Sequence, residues 1–218
     1  MKKLTKAEIN EILDRLEILY PDAECALNHK NHFELLVAVM LSAQTTDKSV
    51  NLITPALFKR YPDAKELAVA NLEEVEDIIR RIGLYKTKAK NVVNMAKILE
   101  SEYNGEVPSS YDALIKLPGV GRKTANVVLS VGFSESRIAV DTHVFRVSNR
   151  IGLADAKDVL ATENELMKNI SKDRWSQAHH SLIFHGRNLC KARNPECEKC
   201  TVAEFCKYYN NLKVEVIS

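Results

Sequence analysis

Two runs of this chain carry residue types that can do covalent chemistry. The run Leu117-Pro118-Gly119-Val120-Gly121-Arg122-Lys123-Thr124-Ala125-Asn126-Val127-Val128 joins a glycine-rich turn to an amine, and Val140-Asp141-Thr142-His143-Val144-Phe145-Arg146-Val147 supplies a carboxylate. Pro118-Gly119 ends one predicted helix and another starts after Gly121, so Lys123 falls in the first turn of the second. Asp141 follows eighteen positions later, at a further predicted helix start. Gly119 and Gly121 lack Cβ, which permits positive φ and close backbone approach to a ligand. The amides opening the Arg122 helix then point at any phosphate placed there. A lysine amine is a poor nucleophile while protonated and needs a lowered pKa or a nearby base. The helix N-terminus and the Arg122 guanidinium both disfavour an ammonium, which predicts a depressed pKa for Lys123. A phosphate-gripping turn, an amine beside it and a carboxylate suit covalent chemistry on a sugar–phosphate polymer. Plainer uses exist for each: an αα-corner for the glycines, a phosphate contact for Lys123, a helix N-cap for Asp141. A cap also sets the direction of a carboxylate, so the two uses of Asp141 are compatible.

A second constellation lies near the C-terminus. Cys190, Cys197, Cys200 and Cys206 are spaced C-x6-C-x2-C-x5-C. Such clustering, in a chain without a secretion signal, points to metal ligation rather than disulfides. Four thiolates in a short loop suit a [4Fe–4S] cluster or tetrahedral zinc, and the residue types alone do not choose. Lys191 and Arg193 lie between the first two ligands, where a fixed loop would present them to an anionic partner or leave them solvated. The remaining cysteine, Cys25, reads as a buried, inert thiol.

The elements that must position these groups read as helices. Thr5 and Glu8 form a capping box ahead of Ile9, Ile12, Leu13, Leu16 and Leu19, an amphipathic first helix. Phe33–Leu41 is apolar on nearly every side and predicts a buried central helix, followed by a polar break at Ser42–Asp47 and a helix carrying Val50, Ile53, Leu57 and Phe58. Leu72–Ile82 predicts a helix stopped by Gly83 as C-cap. Further helices are expected over Lys86–Tyr103, Tyr111–Lys116, Arg122–Val131, Asp141–Ile151, Asn164–Ile170 and Trp175–Asn188, and no strand pattern is found. Ile138-Ala139-Val140 reads as an extended linker. A weak internal repeat aligns Ile78–Val93 with Leu114–Val128, each a helix, a glycine turn and a helix; in this register Lys88 lies opposite Lys123. Only the second copy has the Pro-Gly-x-Gly turn.

Composition bounds the rest. With 218 residues, 45% hydrophobic and 28% charged, the chain suits one large domain or two small ones. No apolar run reaches the length of a membrane span, and the lysine-bearing N-terminus lacks the apolar stretch of a secretion signal. A cytoplasmic, nucleoid-associated protein is expected. The net charge of +2 is too small to announce nucleic-acid binding by itself, so that case rests on motifs.

With these residues in view, the chain resembles the endonuclease III family of helix-hairpin-helix DNA glycosylases. The resemblance covers almost the whole chain and is carried by Leu41–Asp47, Gly83-Leu84-Tyr85, the Leu117–Val128 run, the Val140–Val147 run and the cysteine cluster. It implies an all-α fold of two helical domains flanking a DNA-binding cleft. One would be a six-helix barrel over 25–135 with its hairpin at 111–131; the other, 1–24 plus 136–218, would hold a [4Fe–4S] cluster on Cys190, Cys197, Cys200 and Cys206. It further implies a monomeric base-excision-repair glycosylase with AP lyase activity, acting on oxidised or ring-damaged pyrimidines and abasic sites in double-stranded DNA, with no membrane partner. Lys123 would attack C1′ of a flipped nucleotide through a Schiff base and Asp141 would assist. Gln44 and Leu84 would fill the vacated stack; Gly119, Gly121, Arg122, Arg146, Lys191 and Arg193 would meet the DNA backbone, and His143 would meet it too or orient the carboxylate. The related adenine glycosylases typically lack the lysine and carry a further recognition domain. A silent DNA-structure binder would need neither Lys123 nor Asp141, and a zinc-stabilised helical module would differ in its metal.

Overall fold

The computed structural model describes residues 3–217, with side chains through Leu212; Met1 and Lys2 of the lysine-bearing N-terminus fall outside them. Among the described residues the chain is helical, without strands. It divides into two compact units, one of residues 26–135 and one combining 1–25 with 136–218.

The unit of residues 26–135 is built around the buried helix α2 (His32–Leu41) and the amphipathic helix α6 (Tyr85–Tyr103). Helix α2 starts where the Asn31 side chain accepts the Glu34 backbone N–H at 2.8 Å, and every residue from Phe33 to Leu41 is buried, as expected of a run apolar at all positions but Glu34. Each fully buried leucine there contributes about 1.5–3 kcal/mol. Helix α3 (Asp47–Arg60) is capped by Thr46 and packs on α2; α4 (Ala64–Ala68) and α5 (Leu72–Ile79) pack on α6. The hairpin helices are α7 (Tyr111–Leu114) and α8 (Arg122–Gly132), and α8 packs on α2.

Several boundaries differ from the sequence reading. Helix α5 stops at Ile79, not Ile82, and Gly83 is no left-handed C-cap; the left-handed residue is Leu84, with φ 58°. Helix α7 stops at Leu114 because residues 115–117 tighten into three-residue turns, with the Leu117 N–H donating to the Leu114 carbonyl at 3.1 Å. Helix α4 escaped notice because five residues show too little of a 3.6-residue period, although Asp63 caps it.

The other unit joins α1 (Lys6–Leu19), α9 (Thr142–Ile151), α10 (Val159–Asn169), α11 (Trp175–Asn188) and α12 (Lys207–Ile217). The Thr5–Glu8 capping box forms in both directions. Ile9, Ile12, Leu13 and Leu16 enter the core with Val144, Val147, Ile151 and Leu182, whereas Leu19, read as part of the same stripe, is 37% exposed. Helix α10 begins five residues before the expected start, because Asp158 caps it while its first residues Val159 and Leu160 stay exposed and add nothing to an amphipathic pattern. Helix α12 was not anticipated from the sequence. Ile138-Ala139-Val140 is extended and buried, so it anchors the approach to α9.

Burial lowers the pKa of His180 on α11, with Glu24 pulling the other way. The unfolded ring protonates near pH 6.5, so this contribution to stability is complete above about 6.5 and is lost as pH falls below it. His180→Gln is expected to flatten part of the decline in urea-unfolding midpoint between about pH 7 and 5, measured against the wild-type chain.

Candidate active site and cysteine loop

The internal repeat is real at the level of single hydrogen bonds. Ile82 N–H donates to the Ile79 carbonyl at 3.1 Å, and Leu117 N–H to the Leu114 carbonyl at 3.1 Å, at matching positions of the two copies. The residue that then turns left-handed is Leu84 in the first copy, φ 58°, and Gly119 in the second, φ 78°. A Cβ on Gly119 would lie 2.9 Å from both Cβ and Nδ2 of Asn91 on α6, so this glycine is required by conformation and by space. Gly121 differs from the sequence reading. Its φ of −97° and ψ of −180° are extended, and an added Cβ would meet nothing within 4 Å. As the N-cap of α8, Gly121 contributes no capping side chain, which leaves the helix entrance open to an anion.

Lys123 and Arg122 are both exposed at this entrance. The Arg122 guanidinium lies 5.7 Å from the centroid of the Tyr111 ring and its Nη1 donates to the Tyr111 hydroxyl at 3.4 Å. The rival amine, Lys88, is turned inward: the residue is 6% exposed, its Nζ donates to Thr45 Oγ1 at 2.7 Å, and burial pushes its pKa down.

Asp141 is the N-cap of α9. Its Oδ1 accepts the backbone N–H groups of His143 and Val144, both at 2.8 Å, so Oδ2 is not used by the cap. The buried 138–140 segment before it and Val144 and Val147 after it hold this carboxylate by apolar packing. The His143 backbone, not its ring, orients the carboxylate; ring Nδ1 stands 3.2 Å from Arg146 Nη2, and burial lowers the ring's pKa. Arg146, read from the sequence as a phosphate ligand, is turned onto the protein backbone. Its Nε donates to the Cys190 carbonyl at 3.1 Å and its Nη2 to the Gly186 carbonyl at 2.9 Å. Gly186 permits that approach, since a Cβ there would come within 3.0 Å of His143 Cβ and Val147 Cγ2.

Gln44 and Leu84 are both exposed, and both adopt left-handed backbone, φ 53° and 58°. Leu84 is 60% exposed, so it does not serve as the hydrophobic closure of a helix end. Non-glycine residues in this region cost about 1–3 kcal/mol each.

Cys190, Cys197, Cys200 and Cys206 line one cavity together with Ile151, Leu189 and Tyr208. Tetrahedral zinc needs four sulfurs drawn around one ion. Among the described residues no group of three or more cysteine, histidine, aspartate or glutamate side chains converges on a single metal position. Four thiols around one cavity are a donor set that fits a [4Fe–4S] cluster. Burial pushes the Cys200 thiol up to about 11 and raises those of Cys197 and Cys206, so a bound metal must displace their protons.

The residues that hold this loop were not singled out from the sequence. Arg150 donates to the Lys191 carbonyl at 2.7 Å and the Ala192 carbonyl at 3.1 Å, with Nη1 3.7 Å from Cys190 Sγ and the guanidinium over the Tyr208 ring. Arg15 of α1 donates to the Thr201 carbonyl at 2.9 Å. His185 lies between Tyr20, 3.2 Å from its hydroxyl, and Cys200 Sγ, 3.5 Å away. An arginine on an amphipathic helix has no local pattern that marks such a contact. Lys191 is tied to Glu196 at 2.7 Å, while Arg193 stays exposed. Cys25 is half-buried rather than buried, since its segment runs at the boundary of the unit.

The chain thus carries an open, glycine-turned helix hairpin, an oriented carboxylate and a four-cysteine loop. Residues 37–172 match the model of the HhH-GPD superfamily base excision DNA repair proteins, and 190–206 match the iron-sulfur binding domain of endonuclease III. The chain is 49% identical to endonuclease III of Bacillus subtilis (strain 168) over 94% of each chain. It is 50% identical to that of Rickettsia conorii over 94% of this chain and 98% of the relative. A solved structure of a trapped endonuclease III–DNA covalent intermediate, an estranged-adenine complex, superposes with a TM-score of 0.91. That structure is 49% identical, and the match covers 96% of this chain and 99% of the other. The chain belongs to the endonuclease III family. It is a base-excision-repair DNA glycosylase with AP lyase activity and binds a [4Fe–4S] cluster. Among the described residues no helix is long and apolar enough to cross a membrane.

Gly119→Ala is expected to cost about 1–3 kcal/mol, because it meets both the left-handed backbone and Asn91. Gly121→Ala, in open space, is expected to leave the urea midpoint nearly unchanged. Equilibrium urea unfolding of both variants checks the difference.

Proposed function

We propose that Lys123 is the nucleophile and Asp141 the assisting carboxylate in removal of oxidised pyrimidines from duplex DNA, in the cytoplasm at the nucleoid. The observation that carries this reading is the cap of Asp141. Two backbone N–H groups fix its Oδ1 at 2.8 Å, and Oδ2 remains for chemistry. In the reaction, a neutral Lys123 Nζ attacks C1′, the C1′–N bond breaks, and the damaged base leaves with the bonding electrons. Asp141 stabilises the positive charge that develops on the sugar and accepts a proton from the attacking amine. The sugar ring opens to the Schiff base; loss of a C2′ proton then expels the 3′ phosphate oxygen and cuts the strand.

The open entrance of α8, with Gly119, Gly121 and Arg122, grips a phosphate beside the lesion through main-chain amides and so positions the strand without reading a base. A duplex nucleotide must leave the stack before C1′ can be attacked. Gln44 carries amide donors and an acceptor for the edge of the estranged base, and Leu84 is an exposed apolar wedge of the kind that unstacks a base step. Arg193 supplies a further phosphate contact, while Lys191, held by Glu196, acts as a weaker one.

Borohydride trapping on a duplex with one thymine glycol tests the chemistry. Wild type is expected to give a covalent adduct and Lys123→Ala none, at equal DNA binding. Asp141→Asn keeps the capping oxygen and is expected to lower single-turnover excision at least 100-fold without loss of stability, whereas Asp141→Ala also loses about 1 kcal/mol of cap. An adduct retained by Lys123→Ala would remove Lys123 from the nucleophile's role.

A further inference from the structure

Gln44 and Leu84, two of the exposed left-handed residues, are fastened to one buried lysine. The Lys88 backbone N–H donates to the Leu84 carbonyl at 3.0 Å, the first helical bond after the turn. Its side chain runs the other way, into the protein, and Nζ donates to Thr45 Oγ1 at 2.7 Å. Thr45 adjoins Gln44, and its own backbone N–H donates to the Ser42 carbonyl at 3.0 Å, across the turn that Gln44 occupies. The Thr45 hydroxyl also reaches back to the Ala43 carbonyl at 3.4 Å. One residue is therefore bonded through its main chain to the Leu84 loop and through its side chain to the Gln44 loop. Strained backbone persists only where its surroundings hold it, and Lys88 is attached at both places.

A lysine is an unfavourable choice for packing alone. The residue is 6% exposed and no carboxylate pairs with its ammonium among the described residues. Burial accordingly pushes its pKa down, and an apolar side chain of the same length would avoid that cost. The matching residue of the second copy, Lys123, points out to solvent. The repeat thus keeps a lysine at one register position in both copies and turns the first toward the Gln44 loop.

We propose that Lys88 is a positioning residue for base flipping. Through the Thr45 hydroxyl its ammonium sets the Gln44 loop at a fixed distance from the Leu84 loop, so that both side chains enter the duplex together. This rests on the reading of Gln44 and Leu84 as residues that fill the vacated stack. Base steps are only about 3.4 Å apart along a strand, and a misplacement of about 1 Å can slow a reaction by up to about 100-fold.

The test uses full-length, cluster-loaded protein carrying Lys88→Met, Thr45→Val or both, with Gln44→Ala and Leu84→Ala alongside. Single-turnover excision is measured on thymine glycol opposite adenine, and on the same lesion opposite a tetrahydrofuran abasic analogue, where Gln44 has no base to meet. Expected is a loss of about tenfold on the first duplex for each single variant, no further loss in the double variant, and less than twofold on the second duplex. Melting temperature is expected to stay level or rise in Lys88→Met. Equal losses on both duplexes together with a lowered melting temperature would show a merely structural lysine and overturn the proposal. Additive losses in the double variant would overturn it as well. So would a salt slope of DNA binding reduced by about one in Lys88→Met but not in Thr45→Val, the mark of a phosphate contact. Wild-type rates in Lys88→Met and Thr45→Val, with slowed excision in Gln44→Ala and Leu84→Ala, would overturn the role of Lys88 alone. Wild-type rates in those last two variants would end the stack-filling reading, and this proposal with it.

Discussion

The constraint on which both copies of the helical repeat depend is a left-handed residue placed just after a short helix and just before a longer one. It occurs twice, at Leu84 and Gly119, and the same three-residue hydrogen bond precedes it each time. A chain reversed within so few residues delivers the next helix with its N-terminus outward and its first-turn amides unclaimed. What each copy presents follows from the residue that carries the turn. Glycine leaves no side chain, rests against Asn91 and keeps the entrance of α8 clear. Leucine in the same backbone state is strained, and its side chain is driven into solvent, 60% exposed. One backbone geometry thereby yields an open helix entrance in one place and an apolar projection in the other.

The unit that carries Asp141 uses a different economy. Its core is formed by α1, α9, α10 and α11, and the residues from Cys190 onward add few buried side chains, chiefly Val202 and Cys206. Such a loop cannot offset its own ordering entropy by apolar burial. It is held by hydrogen bonds from Arg146, Arg150 and Arg15 to its carbonyls and by four cysteines around a cavity. When bound, the [4Fe–4S] cluster cross-links those cysteines covalently. Helix α9 links this loop to the carboxylate: its N-cap is Asp141, and about one and a half and two and a half turns along the same helix Arg146 and Arg150 reach the start of the cysteine loop. Disturbing the loop therefore bears on the helix that aims the carboxylate.

Most of the helices were legible in the sequence because their signals are local. The Thr5–Glu8 box, the largely apolar run Phe33–Leu41 and the Asp141 cap each lie within a few residues, and all three form as their spacing requires. Elsewhere the structure departs from what local sequence suggests, each time for its own reason. Gly83 has the composition of a helix stop, but the left-handed turn falls on Leu84, a residue that propensity alone would never choose. The start of α10 was missed because its first apolar residues face solvent, and α4 because it is too short to show a period. Arg146 has the charge of a phosphate ligand, yet the close approach allowed by Gly186 turns it onto the 186–190 backbone.

By itself, the sequence determined the helical class, the caps, the glycine turn with its lysine and the identity of the four thiols. These depend on residue types and spacings within one or two turns of chain, where backbone sterics and hydrogen bonding are decided locally. Only the tertiary structure decided which charged side chains are free and which are committed. Lys88 and Lys123 occupy the same register of a repeat, and although only Lys123 follows a Pro-Gly-x-Gly turn, nothing local tells which of the two is buried. The first is buried because Thr45, forty-three residues earlier, meets its ammonium; the second stays exposed at the open entrance of α8. Whether a long, flexible cation points outward or inward depends on the groups that the fold brings to its tip, and those come from distant parts of the chain.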